Sequence, residues 1–565
     1  MPGPCWWSLA ALLLGLAVVQ GRFVQSDDDG WRCKGFDCEL VEMEQPGQRA
    51  LKVSNRQHVL HGPEQTLTVE AGKTYHIAGQ VKLLGHHTGP TNHTLHMIVE
   101  FTLPDGYKTS TMADSRHQLS PLDGWVRLHG EFTVPTATQG ETRVYIAGPP
   151  PTVTFLVGQP TVTRSPRDPS WRNETDAVIR NIRMNNIHIN VTKAPGMKDS
   201  DITILIKQTN KSFPFGTAVY AKLYNNASQA KYRDFIGKHF NWAVPERYLK
   251  WFFIEPVRGQ KDYSDALNMI HGLRSQGLKV RGHNLIWPAK VFIQKWVQAL
   301  SGDDLREAVK DHIEETMNKT RGLVEHWDVI NENLDEHWYK NRLMDPDFDL
   351  ETYRLAHSID PNVKLFINDY AVVATGSDTE KYLAEALRFK EANVGLYGMG
   401  VQCHWPNNLE PDPYLIKERL DLLSQAGVTI WVTELDVWAV DENTRADYYD
   451  RALRSLYGHP AVEGILFWGF WDERHLRGEE ATLASGDDLT LNAAGRLVFD
   501  LFENQWMTRE THTLSESGSA FTVRGFHGDY ELHVMHKMQE RTDLKQTFTL
   551  LPGADIRLSV KMTGY

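Results

Sequence analysis

The chain of 565 residues has room for roughly two to four domains, one of which can be a large barrel. Sixty Lys and Arg against 72 Asp and Glu leave a formal charge of −12, and no long basic run offers phosphate backbones a footprint, so nucleic acid is excluded as a partner. The 17 Trp residues suit sugar faces and a large core alike and do not by themselves decide between them.

Residues 1–21 have the layout of a signal peptide: an apolar run from Leu9 to Val19, then the small Gly21, although no Lys or Arg precedes the run. The run is too short to span a bilayer and no later apolar stretch reaches about 18 residues, so the mature protein is expected to be secreted, extracellular and free of membrane. Sequons at Asn92, Asn173, Asn190, Asn210, Asn226 and Asn318 fit a glycosylating secretory route. Cys5 leaves with the signal peptide. Cys33 and Cys38, five apart in an oxidising compartment, are expected to form a local disulfide, and Cys403 then reads as a buried small hydrophobe.

Residues 31–165 carry short alternating segments, His76 to Val81 and Phe132 to Val134 among them, broken by Gly, Pro and Asn clusters; this predicts a β-sandwich of jelly-roll type. A polar, Pro-bearing stretch from Ser165 to Trp171 marks a boundary, and residues 166–213 read as a linker with a strand pair over 177–210. From 214 to 506 short apolar runs alternate with helical periods, the mark of repeated βα units.

Eight strands are predicted in that region, at Gly216 to Val219, Phe240 to Val244, Val280 to Asn284, Val324 to Ile330, Lys364 to Ile367, Tyr397 to Val401, Thr429 to Thr433 and Gly464 to Trp468. One intervening helix has Asp412 as N-cap, Pro413 in its first position, an Ile416, Leu420, Leu423 stripe and Gly427 as its stop. Another buries Ala266, Met269, Ile270 and Leu273 and ends at Gly277. Eight such units predict a (β/α)₈ TIM barrel. Residues 511–565 return to alternating strands, a small C-terminal β appendage, which completes a multidomain chain.

In such a barrel chemistry sits where strands end. Strand four ends in Asn331-Glu332 and strand seven in Thr433-Glu434-Leu435-Asp436. Nearby ends carry His283 and Trp287, Asn368-Asp369, and Gln402-Cys403-His404. Cleaving an acetal needs one carboxylic acid to protonate the leaving oxygen and one carboxylate on the opposite sugar face, so Glu332 and Glu434 are the candidate pair. A His404 and Asp436 pair beside Glu434 is expected to help separate the two pKa values. Asp335, Glu336 and His337 read as a charged loop. His86-His87 and the other histidines lack metal-ligand spacing, so neither metal nor cofactor is inferred.

The 214–506 region resembles glycoside hydrolase family 10, the retaining β-xylanase barrels, in Lys250-Trp251, Arg281-Gly282-His283, Trp287, Trp327 to Glu332, Asn368-Asp369-Tyr370, Gln402-x-His404, Thr433 to Asp436 and Trp468-Gly469-x-x-Asp472. The resemblance implies Glu332 as acid/base and Glu434 as nucleophile. It also implies His404 and Asp436 as orienting partners and Asn331 as a ligand of the sugar 2-hydroxyl and of the nucleophile. Glu246, Lys250, His283, Trp287, Gln402 and Trp468 would line the sugar sites. In Gly30-Trp31, Val81-Lys82, Gly124-Trp125-Val126, Phe132-Thr133-Val134-Pro135 and Tyr145 to Pro149, residues 31–165 are similar in framework to a family 22 carbohydrate-binding module, which leaves Tyr145 as a stacking platform.

The expected activity is hydrolysis of internal β-1,4-xylosidic bonds of plant or algal xylan by a monomer whose partner is the polysaccharide. Three departures bear on substrate choice: Arg247 stands where the family has Asn, Pro288 where it often has His, and Leu476 where it commonly has a second Trp. Arg247 and Leu476 keep open an endo-β-1,4-glucanase or dual-specificity reading. A secreted glycan-binding protein without catalysis is the third reading.

Overall fold

A computed structural model of the chain describes residues 32–33, 35–43, 49–85, 93–158, 161–164, 170–406 and 409–563. The expected signal peptide, the sequon at Asn92 and the His86-His87 pair lie outside the described residues. The chain divides into two compact units, one ending at Pro166 and one starting at Arg167.

The first unit is a two-sheet β-sandwich. One sheet is built around Thr74–Leu84 and the other around His93–Thr102. Because successive strand residues point to opposite faces, the apolar alternation turns Tyr75, Ile77, Val81 and Leu83 inward against Met97, Val99 and Phe101. Cys33 and Cys38 form a disulfide against the edge of this core. Tyr145 is half-buried and lines a surface recess with Glu64, Glu100 and Arg143.

The second unit holds a closed barrel of eight parallel strands: β1 Phe215–Val219, β2 Trp242–Pro245, β3 Lys279–Ile286, β4 His326–Asn331, β5 Lys364–Asp369, β6 Leu396–Val401, β7 Thr429–Val437 and β8 Val462–Phe467. Pairing of β8 with β1 closes the ring. The interior is packed with rings, as barrel cores are: Trp242, Phe366 and Trp431 surround His326, with ring centroids 4.4 to 4.8 Å from it. Gly464 on β8 is small because Trp431 fills the space its Cβ would need. The two helices expected between strands form as Ser264–Ser275 and Pro413–Ser424. The Asp412 carboxylate accepts from the amides of Tyr414 and Leu415, and Gly277 and Gly427 follow in left-handed conformation.

Residues 166–213 differ from the expectation of a linker and a strand pair. Trp171–Arg183 is a helix, tied to the barrel by the Arg183 guanidinium, which donates to the carbonyls of Tyr457, His459 and Val462. The strands that follow, Met184–Lys193 and Ile202–Lys211, do not pair with each other. Each enters a different sheet completed by C-terminal strands: Met184–Lys193 lies between Ala520–Phe526 and Ile556–Met562, and Ile202–Lys211 between Arg509–Thr513 and Gly528–His536. The C-terminal β region thus belongs to a two-sheet assembly of eight strands, two of which precede the barrel.

The physical reason is the alternation Ile187, Ile189, Val191 and Ile202, Ile204, Ile206, which gives each strand one apolar face buried in a shared core with the C-terminal Val523, Leu532, Val534 and Val560. Fully burying one such side chain is worth about 1.5–3 kcal/mol, so the six are collectively worth on the order of 10 kcal/mol. Ending the chain after Thr508 is therefore expected to yield aggregated protein. Soluble, monodisperse material from that truncation, judged by size-exclusion chromatography, would show that these strands do not need their C-terminal partners.

The sequon asparagines at 173, 190, 210, 226 and 318 are all exposed. Among the described residues no helix is long and apolar enough to cross a membrane.

Candidate active site

The polar residues ending β3 to β8 converge on one mouth of the barrel. β4 delivers Glu332, whose backbone takes the left-handed conformation (φ 60°) and whose amide donates to the Asn368 carbonyl at 2.8 Å. Its carboxylate is held by two uncharged N–H donors: Trp287 Nε1 to Oε2 at 2.8 Å, and Gln402 Nε2 to Oε1 at 3.1 Å. β7 delivers Glu434, which is 5% exposed. One of its oxygens accepts from Asn368 Nδ2 at 2.9 Å, and the other faces His404 Nε2 at 3.3 Å.

His404 is fixed from behind by Asp436, 2.7 Å from Nδ1, and Asp436 is in turn paired with Arg477. Burial alone would push the imidazole down, but the Asp436 and Glu434 carboxylates outweigh it and raise His404 to about 10. Burial would likewise raise the Glu434 carboxyl. Hydrogen bonding from His404 and the charges of His283, His404 and Lys250 outweigh that effect and hold it below its usual range. The stabilisation carried by His404 is complete below its ordinary 6.5 and fades as pH rises through about 10. That carried by Glu434 is complete above its ordinary 4.5 and is lost in more acid solution. Through the neutral range the pair is imidazolium and carboxylate.

The cleft walls are aromatic. The Lys250 ammonium lies 4.6 Å from the Trp287 ring centre and 5.5 Å from that of Trp468, and Glu246 precedes it in the same loop after β2. The edge of His283 meets Trp468 at 5.2 Å, and Phe292 stacks on Trp287 at 3.8 Å. His283 Nδ1 is 2.9 Å from Asp328, which fixes the ring from inside the barrel. Flat rings and a few fixed polar groups are the lining a sugar chain needs. Among the described residues, no three His, Cys, Asp or Glu side chains of this cleft lie within reach of a single ion.

A family model described as Glycosyl hydrolase family 10 matches residues 205–494, just over half of the chain. The chain belongs to glycosyl hydrolase family 10. A second model, described as Carbohydrate binding domain, matches residues 16–153. Among curated relatives, Endo-1,4-beta-xylanase 2 of Arabidopsis thaliana is 32% identical over 86% of this chain and 44% of its own length. Endo-1,4-beta-xylanase 1 of the same plant is 30% identical over 86% of this chain and 50% of its own. Anti-sigma-I factor RsgI6 of Acetivibrio thermocellus is 36% identical over 64% of this chain and 46% of its own. The chain spans about half the length of these relatives.

In this family 10 chain the structure brings Glu332, Glu434, His404, Asp436, Gln402, Trp287, His283, Lys250, Trp468 and Glu246 to one cleft. The contact with the nucleophile expected of Asn331 is made by a neighbour instead. The Asn331 side chain accepts from Asn368 at 2.8 Å, and it is the Asn368 amide, lying between Asn331 and Glu434, that contacts the carboxylate. Thr433 orients Asn368 by donating to its oxygen at 2.7 Å. Asn368, named among the strand ends, had no role assigned to it there, and Arg477 was missed from sequence. Asn368 was signalled by its place at the end of β5. Arg477 lies in a loop with no periodic or motif signal.

Cys403 is buried, and burial pushes its thiol up. Leu476, by contrast, stands 66% exposed at the rim of the cleft.

Proposed function

We propose that the chain is a secreted endo-1,4-β-xylanase that cleaves internal xylosidic bonds with net retention. The observation that carries this reading is the contrast between two glutamates at one barrel mouth. Glu434 is buried, ionised and cradled by Asn368 and an imidazolium, whereas the hydrogen bonds to the Glu332 carboxylate among the described residues come from the neutral N–H groups of Trp287 and Gln402. The first setting suits a nucleophile and the second a proton carrier.

In the first step a Glu434 oxygen bonds to the anomeric carbon as the glycosidic bond breaks, and the Glu332 carboxyl gives its proton to the departing oxygen. In the second, water attacks the glycosyl ester, Glu332 takes the water proton, and Glu434 leaves as carboxylate. Retaining enzymes hold the two carboxyls about 5–5.5 Å apart to allow this. Xylan as substrate is supported by the names of the Arabidopsis relatives and by the aromatic walls of the cleft. The N-terminal sandwich is assigned to glycan binding on the strength of its family match, with Tyr145 as the stacking ring.

The test is proton NMR of xylopentaose digestion in its first minutes. The β anomer is expected to appear first and to mutarotate later. Initial release of the α anomer would refute the double displacement. The endo-β-1,4-glucanase reading is favoured by one observation, the exposed Leu476 at the rim, which offers no ring to limit the sugar bound there. Reducing-sugar release from carboxymethylcellulose alongside xylan separates the two.

A further inference from the structure

Beyond Trp468 the cleft is bounded by the loop after β2, bearing Glu246 and Arg247, and the loop after β8, bearing Arg474. Glu246 Oε1 accepts from both guanidinium groups, from Arg247 Nε at 3.1 Å and from Arg474 Nη2 at 3.1 Å. Both also lie over one ring: the Arg474 guanidinium carbon is 4.0 Å from the centre of Tyr220, and that of Arg247 is 5.8 Å from it. One carboxylate therefore serves two cations that packing holds side by side. Lys250, on the inner wall, adds a third positive group.

The arrangement is costly for an empty site. The Arg247 and Arg474 side chains are 32% and 25% exposed, so both are partly stripped of water. The Arg474 Nε is enclosed without a partner, while Arg247, bonded to Glu246 through Nε, keeps its Nη groups open to solvent and to a ligand. Each unmet charged donor forfeits stability unless a ligand completes it. A neutral sugar's hydroxyl can donate to Glu246 and accept from a guanidinium, but it brings no negative charge to set against the two cations. Fixed, planar guanidinium forks with spare N–H groups match the oxygens of a carboxylate or a sulfate. The wall is also open for a branch, because the exposed Leu476 stands at its rim.

We propose that the recess formed by Glu246, Arg247, Arg474 and Tyr220 binds an anionic substituent, a uronic-acid carboxylate or a sulfate ester, carried by a backbone sugar beyond the cleaved linkage. Arg247 and Arg474 are then specificity determinants that favour acidic glycans over neutral ones. This rests on the xylanase reading and deepens it by naming the decorated substrate class.

The experiment compares kcat/KM for three purified xylo-oligosaccharides of equal backbone length, one neutral, one bearing a single uronic acid and one bearing a single sulfate ester, using the full chain and Arg247→Asn/Arg474→Gln. Charge-assisted hydrogen bonds are worth about 1.5–3 kcal/mol, so the wild type is expected to prefer at least one acidic chain by roughly 10- to 100-fold. Which acidic chain is preferred identifies the group. The double variant is expected to bring that ratio to about one, and 0.5 M NaCl to lower it in the wild type. A wild-type ratio near one, or a preference that survives in the double variant, overturns the proposal while leaving the xylanase reading intact. Failure to cleave all three chains overturns both.

Discussion

Glu434→Gln is expected to lower kcat on xylan by at least about 10⁴-fold, the scale on which removal of a covalent nucleophile acts. The amide keeps the size of the carboxylate and still offers an oxygen to Asn368, so substrate binding should change little and the loss should fall on kcat rather than KM. It cannot form the glycosyl ester. Glu332→Gln is expected to behave differently, because that side chain is proposed to move a proton. Loss of general acid catalysis costs about 10²–10⁴-fold on xylan, whose leaving group is a poor alcohol, but much less on an aryl xyloside whose phenol departs unprotonated. With such a substrate the second step becomes limiting, since no base draws the proton from water, and added azide should restore turnover by attacking the ester without one. Kinetics of both variants on xylan and on an aryl xyloside decide the assignment. If Glu434→Gln kept more than about a hundredth of wild-type activity, Glu434 would not be the nucleophile.

The barrel and its two glutamates are legible in sequence for a simple reason. Buried parallel strands are largely apolar runs, and in a barrel the polar residues at their C-terminal ends face the mouth, so Asn331-Glu332 and Thr433-Glu434 announce themselves. Strand ends were less legible. β7 runs to Val437, past the predicted Thr433, because Leu435 and Val437 are as buried as the strand before them. β3 likewise continues to Ile286, past Asn284.

What local pattern does not carry is pairing at long range. Ile206 faces Leu532 across the whole barrel sequence, so nothing near either residue says that the strands before and after the barrel form one sandwich. The same holds inside the site. Asp436 finds Arg477, and Glu434 finds Asn368 across 66 residues. The helix Trp171–Arg183 escaped because it buries only Ile179 and opens on Arg-Asn-Glu-Thr-Asp, a composition shared with linkers. Its order comes from an ion pair mid-helix, Arg454 with Asp176, and from hydrogen bonds at its C-terminal end, Arg183 with the barrel carbonyls.

The same kind of long-range pair holds the floor of the active site, and breaking it is expected to cost about 3–5 kcal/mol. Arg281 on β3 is wholly buried, with its guanidinium on both oxygens of Asp328 on β4 and 4.3 Å from the Phe366 ring centre. Burial would raise the Asp328 carboxyl, but the charge of Arg281 and the hydrogen bond and charge of His283 outweigh it and hold it low. Arg281→Met removes that charge and leaves a carboxylate sealed from water; either it stays ionised without a cation or it takes up a proton, and both routes forfeit native-state free energy. Arg281→Met/Asp328→Leu removes both charges and is expected to recover more than half of the lost stability, since two apolar side chains now fill the floor. Activity should not recover with it. His283 takes its orientation from Asp328 and packs its edge on Trp468, so a floor that is stable but uncharged leaves that sugar-facing wall unanchored. Urea unfolding of wild type and both variants, with xylan turnover measured on each, separates the two effects. Were Arg281→Met within about 1 kcal/mol of wild type, the buried pair would not be what organises the barrel floor.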